Sequence, residues 1–246
     1  MTFNYDNLLM GETDSVFSHY RIKYFREHCI NHDKILLDAG CGAGKKIKII
    51  DKIFYRLIII GIDLSKVSLI YAHKNNKKAH LLMGDIENLP IRNESVDYIT
   101  FFDVLEHLLN LNNTLRESHR VLKNGCYFHS FIPCEGQRSS IIGRNKMFQS
   151  LTMKYSGHIQ HFTKQQIWNE IKKVRFTILD EKHSYFFFAQ LIYFFSYIIP
   201  RRWKRSESVF INLLRTLIRI LVSKIDLILS NRFPNHSIGY HITARK

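Results

Sequence analysis

Leu37-Asp38-Ala39-Gly40-Cys41-Gly42-Ala43-Gly44 reads as the end of a strand that runs into a chain of glycines. Before it, Lys34–Ala39 is a short, mostly apolar run; after it, Lys45–Phe54 spaces its apolar residues as a helix does. Glycines at such a junction permit a tight turn and let the main chain approach a ligand closely. Alone the stretch is weak, because any strand–glycine–helix turn resembles it. Its meaning depends on the strands that surround it.

Working outward, the same rhythm repeats. Leu57–Asp63 is a β-branched run ending in an acid, and Ser65–Lys74 is a helix with Ser65 as its N-cap. Ala79–Gly84 and Asp97–Asp103 are further strands, Asn112–Leu122 a helix and Gly125–Ile132 another strand; Ser15–Ile30 forms a leading helix. Short apolar runs separated by helices imply parallel βαβ units. The pattern predicts an α/β fold with a Rossmann-like, doubly wound sheet.

After Pro133 the rhythm changes. Residues 134–157 are expected to be polar and irregular, and the segment is long for a plain connection. Thr163–Val174 is a helix capped by Thr163; Phe176–Ser184 and Ser237–Arg245 complete a seven-stranded sheet. Residues 1–246 thus read as a single domain, with 185–233 a helical, hydrophobic and basic insert before the last strand.

The composition sets the outer bounds. A 46% hydrophobic and 23% charged content is ordinary for a globular chain. The formal charge of +15 attracts anionic partners, whether nucleic acid, acidic lipid or phosphorylated metabolite. Cys29, Cys41, Cys126 and Cys134 form no CxxC pair and no Cys/His cluster at zinc spacing, so reduced thiols and no metal are expected. Met1–Gly11 is polar, with no signal-peptide pattern, and the expected compartment is the cytoplasm.

Four clusters fall at the carboxyl ends of expected strands, where open α/β sheets bind ligands. They are Asp38 to Gly44, Gly61-Ile62-Asp63-Leu64-Ser65, Gly84-Asp85-Ile86-Glu87-Asn88-Leu89-Pro90, and Phe102-Asp103-Val104-Leu105-Glu106-His107-Leu108. In order and interval they resemble the successive motifs of class I S-adenosylmethionine-dependent methyltransferases, most of all the quinone and small-molecule subgroup. The resemblance covers Lys34–Pro133, with weaker agreement at Gly157–Thr163 and the last strand.

That resemblance implies S-adenosylmethionine as cofactor and assigns roles. The loop holding Gly40, Gly42 and Gly44 would pass under the amino-acid part, with Asp38 near it. Asp63 would bind the ribose hydroxyls, and Leu64 beside it belongs to the same cofactor-binding set. Asp85 and Ile86 would border the adenine, Asp85 facing its exocyclic amine, and Asp103 would lie by the methionyl end. Acids suit a cofactor that carries a sulfonium cation and no pyrophosphate. A dinucleotide oxidoreductase would want GxGxxG, yet Lys45 stands where the third glycine should fall. A P-loop is excluded, since no glycine lies five residues before Gly44-Lys45.

Methyl transfer to a hydroxyl needs a proton acceptor. His158 and His161, just before the helix at Thr163, are the candidates, with Glu106 and His107 the others; a histidine before Thr163 has a bland alternative in simply holding its loop, and His107 in beginning the helix after the fourth strand. The expected acceptor is a small or lipid-like molecule of quinone, polyprenyl-linked or glycolipid type. Base-modifying enzymes often carry Asn/Asp-Pro-Pro-Tyr/Phe where this chain has Asp103-Val104-Leu105-Glu106, which argues against nucleic acid. An RNA methyltransferase and a non-catalytic cofactor-binding scaffold stay as the alternatives.

Phe186–Ile199 is apolar but shorter than the 20 or so residues a membrane span needs. Pro200 and the basic run Arg201, Arg202, Lys204, Arg205 around Trp203 come next. Val209–Leu229 is a second helix candidate, apolar throughout but interrupted by Arg215, Arg219, Lys224 and Asp226, with Arg215 and Arg219 on one face. Basic residues beside a broad apolar face suit an anionic membrane surface. A helical cap or dimer contact is the other reading of the same pattern.

Overall fold

Sequence spacing is translated directly into layers. The computed structural model describes residues 16–28, 33–54, 56–198 and 224–246, without the side chains of 16–20 and 193–198. Helix α1 (Val16–Arg26) leads into β1 (Lys34–Ala39), α2 (Lys45–Ile53), β2 (Leu57–Asp63), α3 (Lys66–Asn75) and β3 (His80–Met83). Then come β4 (Val96–Phe102), α4 (Leu111–Val121), β5 (Leu122–Pro133), α5 (Lys146–Ser156), α6 (Lys164–Lys173), β6 (Thr177–Ser184), α7 (Phe187–Ile198) and β7 (Gly239–Arg245).

The seven strands form one sheet in the order β3-β2-β1-β4-β5-β7-β6. β1 to β5 pair in parallel, and β7 runs antiparallel between β5 and β6. Alternation along the strands separates two apolar layers. Leu36, Ile59, Tyr98 and Phe131 pack with Ile22 and Phe25 of α1 and Ile47 and Ile50 of α2. Their neighbours Leu37, Ile99, Phe101, Phe128 and Ile132 face the other way, onto Leu111 and Leu115 of α4 and Ile167 and Ile171 of α6. The chain order reverses between β1 and β4, so a crevice opens at their carboxyl ends.

Caps confirm the expected helix starts. The Ser65 hydroxyl accepts from Ser68 N at 3.1 Å. Thr163 and Gln166 form a reciprocal capping box at α6. The segment 134–157 departs from expectation: instead of being irregular throughout, it contains α5, capped by Asn145 and ended by Gly157 at φ 75°. Its buried residues are only Phe148 and Thr152, one stripe too narrow to mark a helix in the sequence.

The insert is partly described. α7 begins where expected, and residues 224–232 are helical, running three residues past the expected Leu229. Asp226, which in sequence looked like an interruption of an apolar helix, is buried and accepts from Phe186 N at 2.7 Å and Ala189 N at 3.0 Å. It satisfies the first amides of α7 from a neighbouring segment. Gln190 donates to His236 O at 2.6 Å and accepts from Ile141 N at 3.1 Å. The start of the insert is therefore docked on the segment before α5 and on the turn before β7. The basic run Arg201–Arg205, with Arg215 and Arg219, lies outside the described residues. Among the described residues, no helix is long and apolar enough to cross a membrane.

Candidate active site

The glycine loop after β1 is held by the end of β2. Gly40 N and Cys41 N both donate to Ile62 O, at 2.8 and 3.0 Å. Gly40, Gly42 and Gly44 all have positive φ, which a side chain resists. A Cβ on Gly40 would lie 2.7 Å from Val104 Cγ2, and one on Gly44 would strike Asn76 Nδ2; at Gly42 it would meet open space. Loop backbone thus turns an open face outward at Gly42 alone.

Three acids at the ends of β1, β2 and β3 are in different states. Asp63 accepts from Gly42 N through Oδ2 and from Ser65 N through Oδ1, both at 2.8 Å. Two main-chain donors fix its carboxylate while leaving lone pairs for a ligand. Asp38 is buried; its Oδ1 accepts from Thr100 Oγ1 at 2.9 Å and its Oδ2 finds no partner. Burial pushes the Asp38 carboxyl up to about 7, against the opposing pull of Thr100 and Lys46. Asp85 is exposed and accepts from Glu87 N at 2.9 Å, beside a buried Ile86. Their loop is clamped from α4: Arg120 donates to Leu89 O and Ile91 O, and Glu117 accepts from Leu89 N. Leu64 and Met83, at the tips of β2 and β3, stand 70% and 65% exposed.

Beyond β4 the crevice changes character. Asp103 has a left-handed φ of 59° and forms an ion pair with Arg21 of α1 at 2.6 Å. The Arg21 guanidinium lies 4.4 Å from the centre of the Phe131 ring and donates to Tyr185 Oη at 3.4 Å. Arg21, Asp103, Phe131, Tyr185 and Ile238 line a narrow cleft. Tyr185 opens the insert, so the insert borders this cleft as its place before the last strand suggested. A larger hollow, about 150 Å³, lies near Arg56, Leu57 and Ala79 and reaches Asn76 behind the glycine loop.

Next to Asp103 lies a cluster of acids and histidines. Glu106 is 0% exposed in the 3-10 turn Leu105–His107, and neither carboxylate oxygen has a hydrogen-bond donor. Burial raises it to about 8 despite the opposing pull of His158. His107 Nδ1 sits 2.9 Å from Gly157 O, and burial depresses this histidine to about 4. His158 Nδ1 lies 3.0 Å from Glu135 Oε1. Burial alone would lower His158, but Glu135, Glu106 and Asp103 together hold it above its usual range. The second oxygen of Glu135 accepts from Thr152 Oγ1 at 2.9 Å, and His161 Nε2 is 3.3 Å from that hydroxyl.

The structure thus gathers Asp38, Gly40, Gly42, Gly44, Asp63 and Leu64 around one loop, and Glu106, His158 and His161 around Glu135. Missing from the sequence reading were Arg21, Glu135, Thr152 and Tyr185. Glu135 comes just after a strand end, the one signal that would have flagged it; Arg21 and Thr152 sit within helices and carry none.

Residues 37–129 match the family profile described as a methyltransferase domain. An uncharacterized protein of Methanocaldococcus jannaschii is 35% identical over 118 residues, which is 44% of this chain and 43% of that one. A demethylmenaquinone methyltransferase of Thermotoga maritima is 33% identical over 94 residues, 38% of this chain and 41% of that one. The chain spans less than half the length of either relative. Among solved structures, phosphoethanolamine N-methyltransferase 2 of Haemonchus contortus in complex with S-adenosylmethionine superposes with a TM-score of 0.64 at 17% identity. That superposition covers 94% of this chain and 52% of the other, and at such identity it speaks for the fold.

Proposed function

We propose that this chain, a class I S-adenosylmethionine-dependent methyltransferase by its domain match and its fold, methylates a small or lipid-like acceptor at the crevice beside β1 and β4. The observation that carries the reading is Asp63, fixed by Gly42 N and Ser65 N next to the open face of the glycine loop. Bound S-adenosylmethionine supplies an electrophilic methyl group on sulfur. Asp63 accepts from the ribose hydroxyls, and the exposed Leu64 just past it flanks the adenine. Asp85 faces the exocyclic amine and Ile86 the adenine ring. The Gly40–Gly44 loop runs under the amino-acid part; Asp38, with an unpartnered Oδ2, and Asp103 face the methionyl end.

His161 takes the acceptor's proton. Its side chain is 22% exposed, against 7% for His158 and 0% for Glu106, which burial removes from contact with an acceptor. With Nε2–H donated to Thr152 Oγ1, and Thr152 donating on to Glu135, the lone pair that accepts a proton lies on Nδ1. An apolar acceptor of quinone or polyprenyl type fits the Phe131 and Tyr185 walls of the cleft and the name of the Thermotoga maritima relative.

Calorimetry tests the cofactor assignment: S-adenosylhomocysteine binds the wild type, and Asp63→Ala loses about 1–3 kcal/mol of that binding. Binding of NADH in place of S-adenosylhomocysteine overturns it. Loss of methyl transfer in His161→Asn with cofactor affinity intact supports the base; unchanged turnover removes it.

We further propose that the insert works at an anionic membrane surface. Between residues 185 and 234 eight bases stand against two acids, and Phe187 and Phe188 of α7 are exposed. Flotation with anionic vesicles that weakens with salt supports this reading, and failure to float defeats it.

A further inference from the structure

We propose that Glu106, His107 and His158 form a binding site for one divalent transition-metal ion of the Zn²⁺ class. Hydrogen bonding decides which ring nitrogens hold protons. Gly157 O cannot donate, so the 2.9 Å contact makes His107 Nδ1 the donor and leaves the lone pair of the neutral ring on Nε2. His158 Nδ1 likewise faces a carboxylate, Glu135 Oε1 at 3.0 Å, which places that ring's lone pair on Nε2 as well. Both Nε2 atoms then point to the same place. Each lies 3.9 Å from Glu106 Oε1, and the three donor atoms all fall within 4.8 Å of one another.

Three electron-pair donors thus converge on one point that is largely walled off from water. Glu106 is completely buried and neither of its oxygens receives a hydrogen bond. A gap of 3.9 Å is too long for a hydrogen bond that would close it with a shared proton. It suits an ion instead: bonds of about 2.0–2.2 Å set ligand atoms about 3–3.5 Å apart, so the two 3.9 Å gaps close with a contraction of roughly half an ångström, and the whole set, within 4.8 Å, with about 1 Å. The two rings meet edge to face, crossing at 74° with centres 5.0 Å apart, so they do not stack.

The outer partners are those that metal-bound imidazoles need. Such histidines donate their second N–H to a main-chain carbonyl or a carboxylate, and here one does each. Glu135 is itself fixed by Thr152. Two imidazoles with one carboxylate favour a first-row ion over Mg²⁺, which prefers oxygen ligands. Three protein ligands also leave a coordination position open. No spacing rule announces this set: Glu106 and His107 are adjacent, and His158 arrives from beyond α5.

The test uses the full chain, stripped with a chelator, dialysed and titrated with Zn²⁺ by calorimetry, with S-adenosylhomocysteine binding measured on every sample. One Zn²⁺ per chain is expected, with Kd in the micromolar range or below. Glu106→Gln and His158→Gln are expected to weaken it at least 100-fold while still binding S-adenosylhomocysteine. Glu135→Gln, acting through His158, should weaken it about 10–100-fold. Co²⁺ reads the site without any substitution, through a visible absorption band that one equivalent of Zn²⁺ removes. Wild-type protein that binds S-adenosylhomocysteine but no Zn²⁺ overturns the proposal, as does Zn²⁺ binding that survives both Glu106→Gln and His158→Gln. Zn²⁺ binding without S-adenosylhomocysteine binding upholds the metal site and fails the cofactor reading, so the two are separable.

Discussion

On one side of the crevice, from Gly40 to Ile86, the chain offers main-chain amides and acids that main-chain donors hold in place. On the other, Glu135, Thr152, His158 and His161 are joined through their side chains beside the buried carboxylate of Glu106. The first side depends on backbone shape: Gly42 N is aimed by a φ of 51° and Asp63 is aimed by Gly42 N. The second depends on burial and on the distribution of protons. Mutations should therefore fail differently on the two sides, through geometry on one and through charge on the other.

The sharpest test of the first half is a pair of glycines. Gly44→Ala combines a left-handed φ of 73° with a collision at Asn76 and a 3.0 Å approach to Ala72. A loss of about 2–4 kcal/mol in denaturant unfolding is expected, together with loss of S-adenosylhomocysteine binding. Gly42→Ala has the strain without the collision, since nothing lies within 4 Å of its Cβ, and should cost about 1–2 kcal/mol. Equal losses at the two positions would show that the collision with Asn76 costs nothing and that φ alone decides.

Two buried acids carry the comparison across the crevice. Glu135 has both oxygens engaged, by His158 and Thr152. Glu135→Gln puts an amide N–H₂ where a donor now points, and is expected to cost about 1–3 kcal/mol in thermal or denaturant unfolding near neutral pH. Asp38 has one oxygen unpartnered, and the sign reverses. Its carboxyl is raised from 3.8 to about 7 by burial, so the unfolded chain gives up that proton at lower pH than the folded one. The stability that neutral Asp38 contributes is complete below about pH 4 and is lost as pH climbs to about 7. Asp38→Asn keeps an acceptor for Thr100 and escapes this loss, gaining about 1–3 kcal/mol over the wild type between pH 4 and 7. Cofactor affinity should fall in the same variant if Asp38 serves the methionyl end. A stability difference independent of pH would sink the reading of Asp38.

The two sides also differ in how legible they were. β1 to β5 followed from short apolar runs, and Asp38, Asp63, Asp85 and Asp103 from their places at strand ends, because each motif lies within one turn and its neighbours in sequence are its neighbours in space. His158 and His161 were singled out, but their setting was not. Glu106, Glu135 and His158 come from three separated segments, and α5, which brings Thr152 beneath them, shows only two buried residues. Asp226 illustrates the same limit: as a sequence feature it broke an apolar helix, and in the fold it caps α7 from another segment.

The smallest expected effect is the most selective one. Leu64 and Met83 stand 70% and 65% exposed at the tips of β2 and β3, where Met83 pairs with Asp63, the residue before Leu64. Exposed apolar side chains of this size contribute little to folding, so Leu64→Ala and Met83→Ala should each change stability by less than about 0.5 kcal/mol. If they flank the adenine, each truncation removes apolar contact with the ring and weakens S-adenosylhomocysteine binding by about 0.5–1 kcal/mol. Adenosine alone should lose the same amount, since the contact involves no part of the methionyl group, whereas Asp38→Asn should leave adenosine binding unchanged. Calorimetry with both ligands separates the contributions. If Leu64→Ala and Met83→Ala leave both affinities untouched, the adenine lies elsewhere along the crevice, and only the Asp63 end of the cofactor site is correctly located.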